Sequence, residues 1–463
     1  MICLFEHVIT KIKWNNHEIL GNLELDFTKA DGSPYSTIIL AGENGTGKTT
    51  ILETLSTFLN LGSIEPFEFI EYNIENNLYT IIPLSEDNKQ LGFHKRICKI
   101  DGTTKDIRSN RYNNTDSIVN DISDIRHYGC SYSKARSGFA TDKVTSVTTS
   151  QLDSNKYEND DNENFTSIKQ LIVDIDTQDN SDWMEISKSN TGKSLDEFLQ
   201  TAKLSRFKYS FDNFFDNLSF SRIDNSSPEE KRILFKKYGH EISVDALSTG
   251  EKQIVFRGAH LLKNSNSIIG GTALIDEPEL SMHPTWQKRI LPYYRSLFSS
   301  GLEQMTQLII ATHSEYVLSS ALQDSDNVLV IVLNQSQAGI SQRRITSPSV
   351  LPTITAAEIN YLAFNIPSTD YHIELYGNLQ HKLGDLNVIN TDSYIKAHNL
   401  YNVSMHSKPS SFTNQNGHIT NYETLPTYIR NAIDHPDPIN RPYTSYELQC
   451  SINLLIEICN SIP

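Results

Sequence analysis

Hydrophobic residues fall into two rhythms along this chain. In residues 9–14 and 20–27 apolar positions recur every second residue (Leu23, Leu25 and Phe27 in the second stretch), the period of half-buried strands, so a hairpin is expected there. Residues 36–41, Ser-Thr-Ile-Ile-Leu-Ala, form a short continuous apolar run, the pattern of a buried strand. Beyond a glycine-rich turn, Ile51, Leu52, Leu55, Phe58 and Leu59 recur at helical spacing. Residues 79–82 and 96–100, the latter before an Asp101-Gly102 turn, predict a further antiparallel β-element. Residues 150–165 are polar and acidic and predict a solvated loop. Residues 166–236 carry helical patterning (Leu195, Phe198, Leu199; then Phe211, Phe214, Phe215, Leu218) without a sustained heptad. From 242 to 334 apolar strands at 268–275, 308–312 and 328–333 alternate with helices, the signature of a parallel sheet. Residues 335–352 are polar and turn-rich. The remainder is mostly helical, broken by a polar stretch at 403–420 and ending on an amphipathic helix over 446–459.

These patterns predict an α/β protein in four regions. Residues 1–150 form an N-terminal lobe, 151–241 a mostly helical insertion with the acidic loop, 242–345 a second lobe, and 346–463 a C-terminal helical domain.

Chemistry concentrates at four stations. The turn after the first buried strand, Gly42-Glu43-Asn44-Gly45-Thr46-Gly47-Lys48-Thr49, fits the phosphate-binding loop G-x-x-x-x-G-K-[ST], and it lies between a strand and a helix as that motif requires. Gly45 and Gly47 let successive N–H groups face one point, and the helix N-terminus adds partial positive charge there. Lys48 is expected to reach the β- and γ-phosphates, and the Thr49 hydroxyl to hold Mg²⁺. The second station, Leu247-Ser248-Thr249-Gly250-Glu251, opens another helix and offers a second anion-binding N-terminus; the pattern also serves as an ordinary helix cap. At the third, Ala273-Leu274-Ile275-Asp276-Glu277-Pro278, an apolar strand delivers two carboxylates: Asp276 to hold Mg²⁺ through water, Glu277 to polarise an attacking water. The fourth is a buried strand ending at His313, placed to sense a γ-phosphate.

In this order the four stations resemble those of the ATP-binding cassette (ABC) ATPases over roughly residues 1–335. Lys48 falls on the Walker A lysine, Asp276-Glu277 on Walker B, Ser248 and Gly250 on the signature, and His313 on the switch histidine. The resemblance implies an ABC-ATPase head with ATP and Mg²⁺ as cofactors. It implies catalysis by Glu277, His313 and Lys48, and Mg²⁺ at Thr49 and Asp276. The nucleotide would be held by Glu43, Asn44, Gly45, Thr46, Gly47, Lys48, Thr49 and Thr50 of one subunit and Ser248, Gly250 and Glu251 of another. The departure is a missing Q-loop glutamine between the phosphate loop and residue 240; Tyr132-Ser133-Lys134-Ala135-Arg136 occupies that region, with Arg136 either a phosphate-side contact or a surface cation.

Composition narrows the branch. Forty basic against 56 acidic residues leave a net charge of −16, which argues against a surface given over to nucleic acid, though not against a local basic patch. Five scattered cysteines form no C-x-x-C and suit reduced thiols in a cytosol. No signal peptide or membrane span is expected, so the reading is a cytoplasmic protein. The continuation Glu279-Leu280-Ser281-Met282-His283-Pro284 resembles the soluble DNA-repair and phage-defence branch. A Toprim nuclease needs a D-x-D after residue 335, but Asp174-Ile175-Asp176 lies in the insertion. Ala357-Glu358, residues 370–376, residues 428–436, Thr444, Glu447, Leu448 and Ser451-Ile452 resemble the ATPases of the Septu anti-phage family, PtuA-like. That implies an HNH nuclease partner of the PtuB type and self-assembly; some relatives work in retron systems beside their DNA product. Arg430 and His435 also match the R-x4-H of HEPN ribonucleases, which offers an alternative: an ATP-gated ribonuclease with His435 as acid/base. Residue chemistry equally allows a helix end, with His435 complementing the dipole.

Overall fold

Thr37–Gly42 is buried along its whole length, so both faces of this strand need cover. In the structure, a computed structural model, it lies inside a six-stranded sheet. The order is Gly339–Ile345, Val328–Ser336, Thr37–Gly42, Gln307–Ala311, Thr272–Asp276, Cys130–Ser133. The five strands from Val328–Ser336 to Cys130–Ser133 run parallel. The register sets Asp276 beside Ala311 and Ala311 beside Leu40, so their carboxyl ends share one edge. Open parallel sheets bind ligands at that edge.

On one face lies the helix Lys48–Leu59, pressing Ile51, Leu52, Leu55, Phe58 and Leu59 into a core with Leu40, Leu274, Ile309 and Ile331. The alternate residues Ile39, Ala273, Ile275 and Ile310 are equally buried and face the other way. The helices Gly258–Leu262 and Glu315–Leu322 pack against the strands there. Beyond the first helix stands a second, antiparallel sheet in the order Glu24–Asp26, His7–Trp14, Phe67–Ile74, Asn77–Pro83, Phe93–Cys98, Thr104–Arg108. Phe58 meets Phe67 edge-on at 6.1 Å, and the Trp14 indole donates to Thr54 Oγ1 at 3.2 Å. The phosphate loop and its helix are thereby held between two sheets.

The structure describes residues 7–62, 64, 66–84, 93–108, 117–154, 157, 165–189, 194–227, 229–264, 269–300, 303–345, 350–413, 419–435 and 442–462. Most of the acidic stretch at 150–165 lies outside them, as does Pro436. The insertion is helical through Phe165–Lys188, Leu195–Thr201 and Ser205–Asp212. It then becomes a three-stranded antiparallel sheet, Leu218–Asp224, Arg232–Lys237 and His240–Ser243. The helical reading of residues 166–236 is therefore corrected at its end: Leu218 opens a strand, and Ile233 and Phe235 are core residues between cations. The last two strands meet in a two-residue turn, Tyr238-Gly239, with φ of 48° and 87°.

Clustering of contacts separates two units, Met1–Arg344 and Ile345–Pro463. The second is built from helices, chiefly Thr369–Leu383, Leu425–Asp434 and Ser445–Ser461, around Tyr371, Leu375, Tyr376, Ile429, Ile452 and Leu455. Its polar stretch at 403–420 contributes a strand pair, Ser407–Thr413 with Ile419–Thr424, rather than a loop. Among the described residues no helix is long and apolar enough to cross a membrane.

Candidate functional site

The phosphate loop gets its shape from close approach. A Cβ at Gly42 (φ 139°) would sit 2.3 Å from the Leu333 carbonyl oxygen, and one at Gly47 (φ 83°) 2.5 Å from the Leu20 side chain. At Gly42 the obstacle is backbone and admits only glycine; at Gly47 it is the left-handed φ that favours glycine, since the Leu20 side-chain end can move. Gly47 then caps Lys48–Leu59 in a left-handed conformation, aiming the helix N-terminus at the loop. Lys48, buried, curls over the loop and donates to the Gly42 and Glu43 carbonyls at 2.9 and 2.8 Å. Burial pushes its ammonium down to about 8 against the pull of Glu277, Asp276 and Glu279.

Asp276 and Glu277 stand across from it. Thr49 Oγ1 donates to Asp276 Oδ2 at 2.9 Å. Asp276 Oδ1 is buried and has no partner among the described residues. Burial raises the Asp276 carboxyl; the Thr49 bond only partly offsets this, and neighbouring Glu277 adds to it. A hydroxyl beside a carboxylate with one bare buried oxygen is a donor set that suits Mg²⁺. Glu277 has a left-handed backbone, φ 43°, and its N–H donates to the Ala311 carbonyl at 2.9 Å. His313 Nε2 lies 3.3 Å from its carboxylate and holds that carboxyl below its ordinary value. A pocket of about 260 Å³ is walled by Asn44, Gly45 and residues 47–50 and closed by Ile19, Glu277 and His313.

Three side chains that were given no role in the site brace this edge. Glu279, buried and raised by burial, accepts from Thr312 Oγ1 at 2.8 Å and from the His313 N–H at 2.7 Å, which fixes the turn carrying His313. Arg257 is fully buried. It donates to the carbonyls of Asp276 (2.6 Å), Glu277 (3.0 Å) and Ser133 (2.9 Å) and to Ser133 Oγ (2.8 Å). It ends a π-helical turn, Gln253–Arg257, whose Gln253 side chain donates to the Arg136 carbonyl at 2.6 Å. π-turns recur at functional sites. One sequence signal marks Arg257: a cation inside the apolar run from residue 254 to 262.

Ser248, Gly250 and Glu251 are not among the residues walling this pocket. They open the helix Thr249–Lys252 through a capping box: Ser248 Oγ and N–H both donate to Glu251 Oε2 at 2.8 Å, while the Glu251 N–H returns to Ser248 Oγ. Lys237 Nζ pairs with Glu251 Oε1 at 2.7 Å. Burial pushes the Glu251 carboxyl up, but the Lys237 and Ser248 bonds outweigh it and hold it low. A Cβ on Gly250 would lie 2.9 Å from the Ser281 carbonyl oxygen and 3.3 Å from the Trp286 ring. Arg136 is likewise outside the pocket wall; its guanidinium lies over the Phe165 ring at 5.6 Å. Arg430 pairs with Asp434 at 2.6 Å and donates to Asn431, and the His435 N–H ends the helix on the Asn431 carbonyl. This geometry favours a helix end over the ribonuclease pair. Asp174 is engaged by Gln170 and Thr148, and no cluster of three His, Cys, Asp or Glu able to hold a metal exists among the described residues.

A parallel sheet with the phosphate loop at its carboxyl edge, facing two carboxylates, defines a P-loop nucleotide-binding fold. The family model "AAA domain, putative AbiEii toxin, Type IV TA system" matches residues 38–319, and the chain belongs to that family of ATPase domains. It is similar to the Retron Ec83 probable ATPase of Escherichia coli (34% identity over 132 residues, 27% of this chain and 22% of that protein). It is also similar to the Retron Vc95 probable ATPase of Vibrio cholerae serotype O1 biovar El Tor (30% over 102 residues, 20% and 19%). The matched stretches thus span about a fifth of each relative's length. Among solved structures it is similar to the Smc head bound to the C-winged helix domain of ScpA (TM-score 0.40, 15% identity, 73% of this chain, 98% of that one). A second is the SMC head domain from Thermotoga maritima (TM-score 0.35, 12% identity, 73% and 98%).

Proposed function

We propose that this chain is an ABC-type ATPase that binds and hydrolyses ATP as the regulatory subunit of a cytoplasmic anti-phage defence complex. The observation that carries the nucleotide chemistry is the convergence of Lys48, Thr49, Asp276, Glu277 and His313 at one sheet edge. Lys48 releases its loop carbonyls and turns to the β- and γ-phosphates. Thr49 and Asp276 would hold Mg²⁺, which when bound would supply positive charge beside the phosphates. Glu277 takes up a proton from the attacking water, and His313 orients that carboxylate and meets the γ-phosphate. Ser248 and Gly250, which stand apart from this pocket, serve the ATP of a second subunit in a head-to-tail dimer or higher oligomer.

The defence role draws support from the names of the two retron relatives and from the C-terminal residues that resemble the Septu ATPases. In that role ATP binding assembles the complex and restrains an HNH nuclease encoded nearby; DNA, including retron DNA, is a further candidate ligand. The test is Glu277→Gln. Removing the base while sparing the phosphate loop is expected to lower phosphate release by about 10²–10⁴-fold with ATP binding intact. Unchanged release from that variant overturns the hydrolytic assignment. Cleavage of DNA by the purified chain alone overturns the regulatory one.

A further inference from the structure

We infer that the Tyr238-Gly239 hairpin tip is an intersubunit contact that docks at the mouth of the nucleotide pocket of a second copy of this chain. This rests on the head-to-tail arrangement proposed above. A two-residue turn with positive φ at both positions is the type I′ geometry, which Asn-Gly satisfies readily. Here the first position is a tyrosine, with φ 48° and a side chain left in solvent: the residue is 74% exposed. A bulky residue kept in a strained conformation and withheld from the core points to a use outside the fold.

The tip's surroundings say what it would meet. Lys236 and His240 flank it, both exposed and without an ion pair among the described residues. Lys237 reaches Glu251 at 2.7 Å, and that glutamate caps Ser248, itself exposed. In a chain of net charge −16, Lys236 and Lys237 therefore stand near the helix start whose serine is assigned to another subunit's ATP, with Lys237 paired to Glu251 and Glu241 opposite Lys236. The complementary surface is present on the same molecule. The pocket mouth offers a triphosphate site for the cations, exposed Glu43 and Asn44, and Ile19, an apolar side chain 51% exposed on a residue that walls the pocket. Lysine suits the first, an aromatic ring the last. A single nucleic-acid strand would also suit a tyrosine between cations. The ion pair to Glu251 favours the second copy, because it ties the tip to Ser248.

Tyr238→Asn is the discriminating change, since it puts the residue favoured by the turn in place and leaves folding intact or improved. ATP-dependent self-association of the full chain is measured by light scattering with Mg²⁺ and adenylyl imidodiphosphate, beside Ser248→Arg. The expected result is a melting temperature no lower than wild type, unchanged binding of the nucleotide to dilute single subunits, and an assembly dissociation constant raised by about tenfold or more, the loss of an aromatic anchor. Wild-type assembly by Tyr238→Asn while Ser248→Arg abolishes it overturns the tip contact and leaves the head-to-tail reading standing. A wild-type chain that binds nucleotide without self-associating overturns both. Normal assembly with lost binding of a fluorescent oligothymidylate overturns the tip contact in favour of nucleic acid.

Discussion

Lys48 is the residue at which charge and burial conflict most openly. Its ammonium, pushed down to about 8, lies among three carboxylates that pull it the other way. A bound triphosphate adds negative charge beside it and raises that value, so binding draws in a proton once the pH exceeds about 8. ATP affinity is therefore expected to be flat below pH 8 and to fall above it by up to about tenfold per pH unit, approaching the pKa of the complex. Calorimetric titration across pH 7–10 checks this, with Lys48→Arg as the control that binds more weakly without the slope. The nucleotide-free chain runs the other way: a lysine depressed in the folded state weakens folding below pH 8, and that cost is relieved as pH rises toward the unfolded value. At this scale the cluster of residues that makes the candidate site was largely legible. Lys48, Thr49, Asp276, Glu277 and His313 could be named because loop, strand and spacing each constrain residue type. Glu279 was visible only as part of a resembling stretch and Arg257 only as a cation in an apolar run, because their roles are hydrogen bonds to backbone made across elements far apart in the chain.

Arg257 belongs to the scale of elements. It joins the end of Cys130–Ser133, the π-turn and the end of Thr272–Asp276, and it grips the backbone carbonyls that precede and follow the Glu277 Cα. Arg257→Met is expected to destabilise the first unit by about 3 kcal/mol, leaving several buried acceptors unmet. Arg257→Lys keeps a cation but not the fork, so kcat should fall more than ATP affinity does, as the aim of Glu277 loosens. Steady-state kinetics beside a chemical melt separates the two effects; equal losses in kcat and affinity would assign Arg257 to the fold alone. The helix Leu425–Asp434 gives a contrasting expectation. With Arg430 paired to Asp434, an Arg430→Ala, His435→Ala double variant should lose less than about 1 kcal/mol in a urea melt. Elements were legible where one period ran uninterrupted, as in Lys48–Leu59 and Val328–Ser336. They were obscured where cations crowd a strand. In Arg232–Lys237 the apolar triplet between basic residues carries neither period, and pairing with both neighbours decides the structure. The pair Ser407–Thr413 and Ile419–Thr424 was hidden for a different reason: its apolar residues, Phe412, Ile419 and Tyr422, are too sparse to show a period.

At the scale of the molecule, each unit owns a hydrophobic core: one from Trp14, Leu40, Phe58 and Ile309, the other from Tyr371, Leu375, Ile429 and Leu455. The residues on which the proposed Septu role draws include much of the second core, with His372 bonded to Ser451 and Thr444 Oγ1 accepting from the Glu447 N–H. They lie outside the span matched by the family model, which ends at residue 319. Two unfolding transitions are expected in calorimetry. Mg²⁺ and ATP at a hundred times the dissociation constant should stabilise only the one belonging to Met1–Arg344, by about 2.7 kcal/mol. A shift of both transitions would show that the two units share one cooperative fold.

The packing of Gly250 has an optical consequence. The ring it rests against belongs to Trp286, one of three tryptophans, which also meets Phe214 and Phe215 edge-on at 5.9 and 5.4 Å. Trp14 is sealed in the first core, and Trp183 leans on Phe198 in the insertion. With those two changed to phenylalanine, the emission of the chain becomes a gauge of one contact. The colour of its fluorescence then follows the turn that carries Ser248, so the head-to-tail association proposed above would be visible as a spectral shift without a label.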